Sequence, residues 1–102
     1  MKFSQSSRET GIIHPGEILA EELAELNISA SELAKNIHVP PNRISQILAG
    51  KRSITAETAL RFGKWFGTGP HIWLNLQHTY DLDLIQQDLK PTLDEIKTRV
   101  AA

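Results

Sequence analysis

The chain has 102 residues, 40% of them hydrophobic and 23% charged, with a formal net charge of −1 at pH 7 and no cysteine. Those figures fit one soluble globular domain with a single core and exclude disulfides and thiolate metal sites. No apolar stretch approaches the ~18–20 residues that cross a membrane, and the opening MKFSQSSRET lacks the apolar core of a signal peptide, so the expected compartment is the cytoplasm.

Residues 1–11 are polar, aperiodic and end in Gly11, which predicts a flexible arm. HPGEILAEELAELN, His14–Asn27, then predicts a helix with Pro15 in its first turn, where a missing N–H is harmless. Ile18, Leu19, Leu23 and Leu26 recur on one side of it, with Glu17, Glu21, Glu22 and Glu25 mostly on the other. SASE, Ser29–Glu32, has the form of a capping box and opens a second helix to about Ile37. Pro40 and Pro41 interrupt, and a third helix is expected from Pro41 to about Ala49, closed by Gly50. Thr55 is the N-cap expected for a fourth helix containing Ala59, Leu60, Phe62, Trp65 and Phe66. From Pro70 to about Leu89 a heavily apolar fifth helix carries Ile72, Trp73, Leu74, Leu76, Tyr80, Leu82, Leu84 and Ile85, more than one stripe can bury. TLDE, Thr92–Glu95, repeats the capping-box form and predicts a short tail helix after Pro91. The fold expected is all-α: an arm over 1–11, a five-helix domain over 12–89 and a tail helix over 90–102.

The stretch LAKNIHVPPNRISQILAGKRSIT, Leu33–Thr55, sets two short helices about four residues apart. That is the helix-turn-helix arrangement, whose second helix enters the DNA major groove. Val39 is expected to plug the corner, and Ile44, Ile47 and Leu48 to hold the second helix from inside. Asn42, Arg43, Ser45 and Gln46 then face outward: asparagine and glutamine suit adenine edges, and arginine suits guanine O6 and N7. Lys51, Arg52, Ser53 and Thr55, with Ser31 at the start of the preceding helix, suit phosphate contacts. Charge agrees with this reading. Between Lys35 and Lys64 six basic residues face Glu57 alone, a local net of +5 that leaves −6 for the rest. On charge alone a solvated surface is an equal explanation.

At these residues the chain resembles the Xre/lambda-repressor-like helix-turn-helix family and, within it, the HigA (VapI-type) antitoxins. The resemblance rests on IHPGEIL at Ile13–Leu19, on LAKNIHVPPNRISQILAGKRSITAETALR at Leu33–Arg61 and on FGTGPHIWLNLQHTYDL at Phe66–Leu82. It implies a lambda-repressor-like five-helix fold that dimerises and represses its own operon at a palindromic operator. It also implies binding and neutralisation of a HigB-type toxin, a small basic RelE-like ribonuclease that cuts mRNA. The acidic first helix suits such a partner, with Glu17, Glu21, Glu22 and Glu25 as the expected docking face. Leu82, Leu84, Ile85 and Leu89 are the expected dimer contacts. Two positions depart from the pattern: His38 stands where glycine is frequent in the turn, and Pro41 where a base-reading residue is frequent. The second shifts base reading toward Asn42 and Gln46.

Other readings are blander. Trp65, Phe66 and Trp73 sit at helical spacing among apolar residues, which favours core packing over a base-stacking platform. His71 and His78 lack a fixed carboxylate partner and make a poor metal site, so no metal or cofactor is expected. No nucleophile elbow, phosphate loop or H-E-x-x-H pattern is present, which argues against an enzyme. A stand-alone Xre-type transcriptional regulator without a toxin partner, and a helical domain that binds only protein, remain the alternatives.

Overall fold

A computed structural model describes residues 11–100. Among them are five helices: α1 (Pro15–Leu26), α2 (Ala30–Asn36), α3 (Pro41–Leu48), α4 (Ala56–Phe66) and α5 (His71–Glu95). No strand occurs among the described residues, and no helix there is long and apolar enough to cross a membrane. The expected arm over residues 1–11 lies, apart from Gly11, outside the described residues.

Side-chain caps set the helix starts. Ser29 Oγ accepts the Glu32 N–H at 3.1 Å, and Thr55 Oγ1 accepts the Thr58 N–H at 3.3 Å. The return bond expected from Glu32 is not among the hydrogen bonds of the described residues. The reciprocal pair occurs instead at α1, where His14 Nδ1 accepts the Gly16 N–H at 2.8 Å and Glu17 Oε2 accepts the His14 N–H at 3.1 Å. Glu17 is therefore tied into a cap rather than standing on an open acidic face.

Helices α1, α2 and α3 stop by one device, a left-handed residue that turns two N–H groups back onto the last carbonyls. Asn27 does this for α1 at φ 57°, His38 for α2 at φ 62° and Gly50 for α3 at φ 74°. After α2, His38 N–H bonds the Lys35 carbonyl at 3.3 Å and Val39 N–H the Ala34 carbonyl at 3.0 Å. Pro40, extended at φ −62° and ψ 144°, then leads straight into α3. Val39 plugs the corner, only 8% exposed.

The core joins Leu19 and Leu23 of α1, Leu33 and Ala34 of α2, Ile44 and Ile47 of α3, Ala59 and Phe62 of α4 and Trp73 of α5. Phe62 and Trp73 meet at 5.1 Å between ring centroids and 70° between planes, with Phe66 5.2 Å from Trp73. These rings are core, as their spacing predicts. Gly16 lies against the Ile47 backbone, where any Cβ would collide with the carbonyl, so α1 and α3 approach more closely than side chains would allow.

Two expectations are corrected, on the width of two stripes and on the end of α5. Leu26 is 51% exposed and Leu60 61%, so the inner stripes of α1 and α4 are narrower than their sequences imply. In keeping with more apolar residues than one stripe can bury, only the first half of α5 is packed: Trp73 and Gln77 are buried, whereas Leu82, Leu84, Ile85 and Leu89 are exposed. And α5 does not stop before Pro91 to restart at Thr92; it runs through Pro91 to Glu95. Proline there removes one backbone donor and crowds the carbonyl one turn back. The segment is exposed, so water can serve that carbonyl, and the Lys90–Asp94 ion pair at 3.4 Å spans the break.

Two outcomes follow from the caps. Burial pushes the His14 imidazole below its ordinary value against the opposing pull of Glu17 and Asp81. The native state then holds fewer protons at His14 than the unfolded chain, so stability falls as pH drops below about 6.5. His14→Asn, which keeps an N-cap acceptor without titrating, is expected to flatten that loss in thermal unfolding between about pH 7.5 and 5.5; an unchanged slope contradicts it. His38→Gly relieves the left-handed strain and is expected to raise stability by about 0.5–1 kcal/mol, read from the denaturant midpoint.

Candidate nucleic-acid interface

The register of α3 decides what it shows. Ile44 and Ile47 are fully buried and Leu48 is half-buried, which turns Asn42, Ser45, Gln46 and Ala49 outward and leaves Arg43 half-buried. Ser45, Gln46 and Arg43 are already engaged. Ser45 Oγ donates to the Asn42 carbonyl at 3.2 Å, and Arg52 Nη1 donates to Gln46 Oε1 at 3.1 Å. Arg43 Nη1 donates to Glu57 Oε1 at 2.9 Å. Two of the expected base readers thus have partners among residues outside α3.

Glu57 sits in the first turn of α4, where a negative charge suits the helix dipole. Its second oxygen accepts from Arg61 Nη2 at 3.2 Å, and Arg61 Nη1 donates to the Ile37 carbonyl at 2.8 Å. The chain of bonds runs from the end of α2 through α4 to α3. Hydrogen bonding from Arg61 and then the charge of Arg43 hold the Glu57 carboxyl below its usual value.

The loop after α3 carries Lys51, Arg52 and Ser53, all exposed, then the buried Ile54 and the exposed Thr55, whose hydroxyl caps α4. Its anchor is Gln77 of α5, a residue not singled out by its sequence position. Gln77 is 3% exposed; its Oε1 accepts the Ile54 N–H at 2.8 Å, and its Nε2 donates to Asp81 Oδ1 at 3.0 Å and Ser53 Oγ at 3.4 Å. One signal was available: Gln77 lies four residues after Trp73, on the stripe that turns inward. Ser31, the remaining phosphate candidate, is exposed in the first turn of α2.

The other candidate residues lie elsewhere. Glu21 and Glu25 are exposed on α1, Glu22 is half-buried and Glu17 belongs to the cap. Leu82, Leu84, Ile85 and Leu89 are exposed on the distal half of α5. His71 and His78 are both exposed, and among the described residues no group of three histidine or acidic side chains could hold a metal ion.

A helix-turn-helix family profile matches residues 19–72, a span that holds α2, α3, α4 and most of α1. Virulence-associated protein I of Dichelobacter nodosus is 47% identical over 89 residues, 86% of this chain and 82% of its own length. An addiction-module antidote protein of the HigA family from Coxiella burnetii superposes with a TM-score of 0.82 at 50% identity, covering 87% of this chain and 98% of that one. Antitoxin HigA of Pseudomonas aeruginosa, solved with the higBA promoter, superposes at 0.81 with 35% identity over 87% and 99%. The two solved relatives are an addiction-module antidote protein and an antitoxin.

Gln77→Leu strips the Ile54 amide of its acceptor. A buried N–H left unpaired costs about 1–3 kcal/mol, and the expected result is a loss of that size with faster hydrogen exchange at Ile54. Protection at Gly16, whose acceptor is His14, is expected to fall only by the global loss.

Proposed function

The chain belongs to the helix-turn-helix family, and on that premise we propose that it is a DNA-binding antitoxin that represses its own operon as a dimer and neutralises a HigB-like toxin by binding it. The observation that carries this reading is the outer face of α3, where Asn42, Arg43, Ser45 and Gln46 stand beside the basic loop at Lys51 and Arg52. The promoter complex of the similar HigA from Pseudomonas aeruginosa supports it.

In this reading α3 lies in the major groove. Arg43 reads guanine, and Gln46 and Asn42 read adenine edges; Gln46 first exchanges its bond to Arg52 for one to a base. Arg52, so released, joins Lys51, Ser53, Thr55 and Ser31 on phosphates, which set register without specifying sequence. Two copies pair through Leu82, Leu84, Ile85 and Leu89, placing two α3 helices in major grooves about one turn, ~34 Å, apart on a palindromic operator. The toxin, as a basic partner, docks on the α1 acids Glu21, Glu22 and Glu25. Glu17 acts there through the cap rather than as a contact.

Two tests separate the parts. On a duplex selected by the wild-type chain from a random library, Arg43→Ala and Gln46→Ala are each expected to lose about 1–3 kcal/mol at one base pair. Lys51→Ala and Arg52→Ala are expected to weaken binding to every duplex and to flatten its salt dependence. Equal loss on all sequences from all four variants contradicts base reading by α3. For the partner, growth arrest by the neighbouring small basic reading frame is expected to be relieved by this chain, with the two co-purifying. Toxicity without rescue or complex leaves a stand-alone regulator.

A further inference from the structure

Glu57 is the only acid between Lys35 and Lys64, and it is 59% exposed beside the face that would meet phosphates. A carboxylate there repels the duplex and lowers affinity. Its geometry supplies a compensating role. Both oxygens are occupied, Oε2 by Arg61 and Oε1 by Arg43. Arg61 is itself fixed to the Ile37 carbonyl, so the carboxylate is held from behind and offers Arg43 a set position. Among the described residues, the one hydrogen bond of the Arg43 side chain is that from Nη1 to Glu57.

We propose that Glu57 is a specificity-determining positioning residue: by holding Arg43 through Nη1, it reserves the Nε–Nη2 edge of the guanidinium for guanine O6 and N7. The inference rests on the reading of α3 as the recognition helix. A guanidinium carries five donors in a rigid fork, so fixing one nitrogen orients the opposite edge. The brace lets Arg43 lose less conformational freedom on binding than an unheld arginine would. It also works against wrong sequences. Opposite adenine or a pyrimidine, no acceptor pair competes with Glu57, and the uncovered carboxylate would face phosphates if Arg43 swung away to one of them.

The test uses the full chain and three probes: the duplex it selects from a random library, the same duplex with 7-deazaguanine at the guanine Arg43 reads, and a mixed-sequence duplex. Wild type is expected to lose about tenfold in affinity on deaza substitution, within the range of a bidentate contact. In Glu57→Ala that loss is expected to shrink below about threefold, while affinity for the mixed-sequence duplex holds or rises because a negative charge has gone. On an Arg43→Ala background, Glu57→Ala is expected to change discrimination no further. Thermal unfolding checks the fold, and Glu57→Gln, which keeps an acceptor without the charge, replaces the alanine variant should that unfold. A wild-type deaza penalty in both variants, or a uniform loss on all three duplexes, overturns the proposal. A wild-type chain that selects no sequence fails at the prior reading, a different result from a discriminating chain indifferent to Glu57.

Discussion

Arg61 donates to the Ile37 carbonyl at 2.8 Å, at the point where α2 ends and His38 turns left-handed. The rest of the interface depends on that corner. A helix end leaves carbonyls without partners, and a buried one must find a donor. Here part of that need is met by the next helix but one, so closing the corner also places α4. Glu57, one turn before Arg61, comes with it, and through Glu57 so does Arg43. Val39 fills the inside of the same corner and Pro40 fixes the direction in which α3 leaves.

The other end of α3 is held just as locally. Gly50 closes the helix beside the His14 ring, and a Cβ on it would stand 3.9 Å from His14 Cγ. His14 caps α1 with one nitrogen and meets Tyr80 of α5 edge-on at 4.7 Å. The closeness of Gly16 to Ile47 completes this seam between α1 and α3. A few side chains thus fix α3 against three other helices, while Gln77 does the same for the loop beyond it. Rigid support of this kind lets short polar side chains meet base edges in a defined register.

Local signals were legible in the sequence. The caps at Ser29 and Thr55, the paired prolines at the start of α3 and Gly50 after it act within four residues, and the structure uses each as its chemistry suggests. What was not legible depends on residues far apart in the chain. Arg43 and Glu57 are 14 positions apart, Ile54 and Gln77 are 23, and no spacing rule pairs them. Glu17 looked like surface because its role requires His14 to act as a cap, an uncommon choice. Leu26 and Leu60 fit their helical periods yet face solvent, because periodicity gives the direction of a stripe but not its width. At Pro91 the usual rule against proline inside a helix yields to an exposed segment with an ion pair across it.

The central claim is that α3 and the loop behind it form the DNA surface. Backbone amide shifts of the labelled chain, followed during titration with its selected duplex, test it most directly. The largest changes are expected over 41–55, at Ser31, and at Glu57, whose held partner Arg43 meets the base, with little change over Glu21–Glu25 and in the distal half of α5. Large shifts confined to α1 or α5, with α3 undisturbed at saturation, would contradict it.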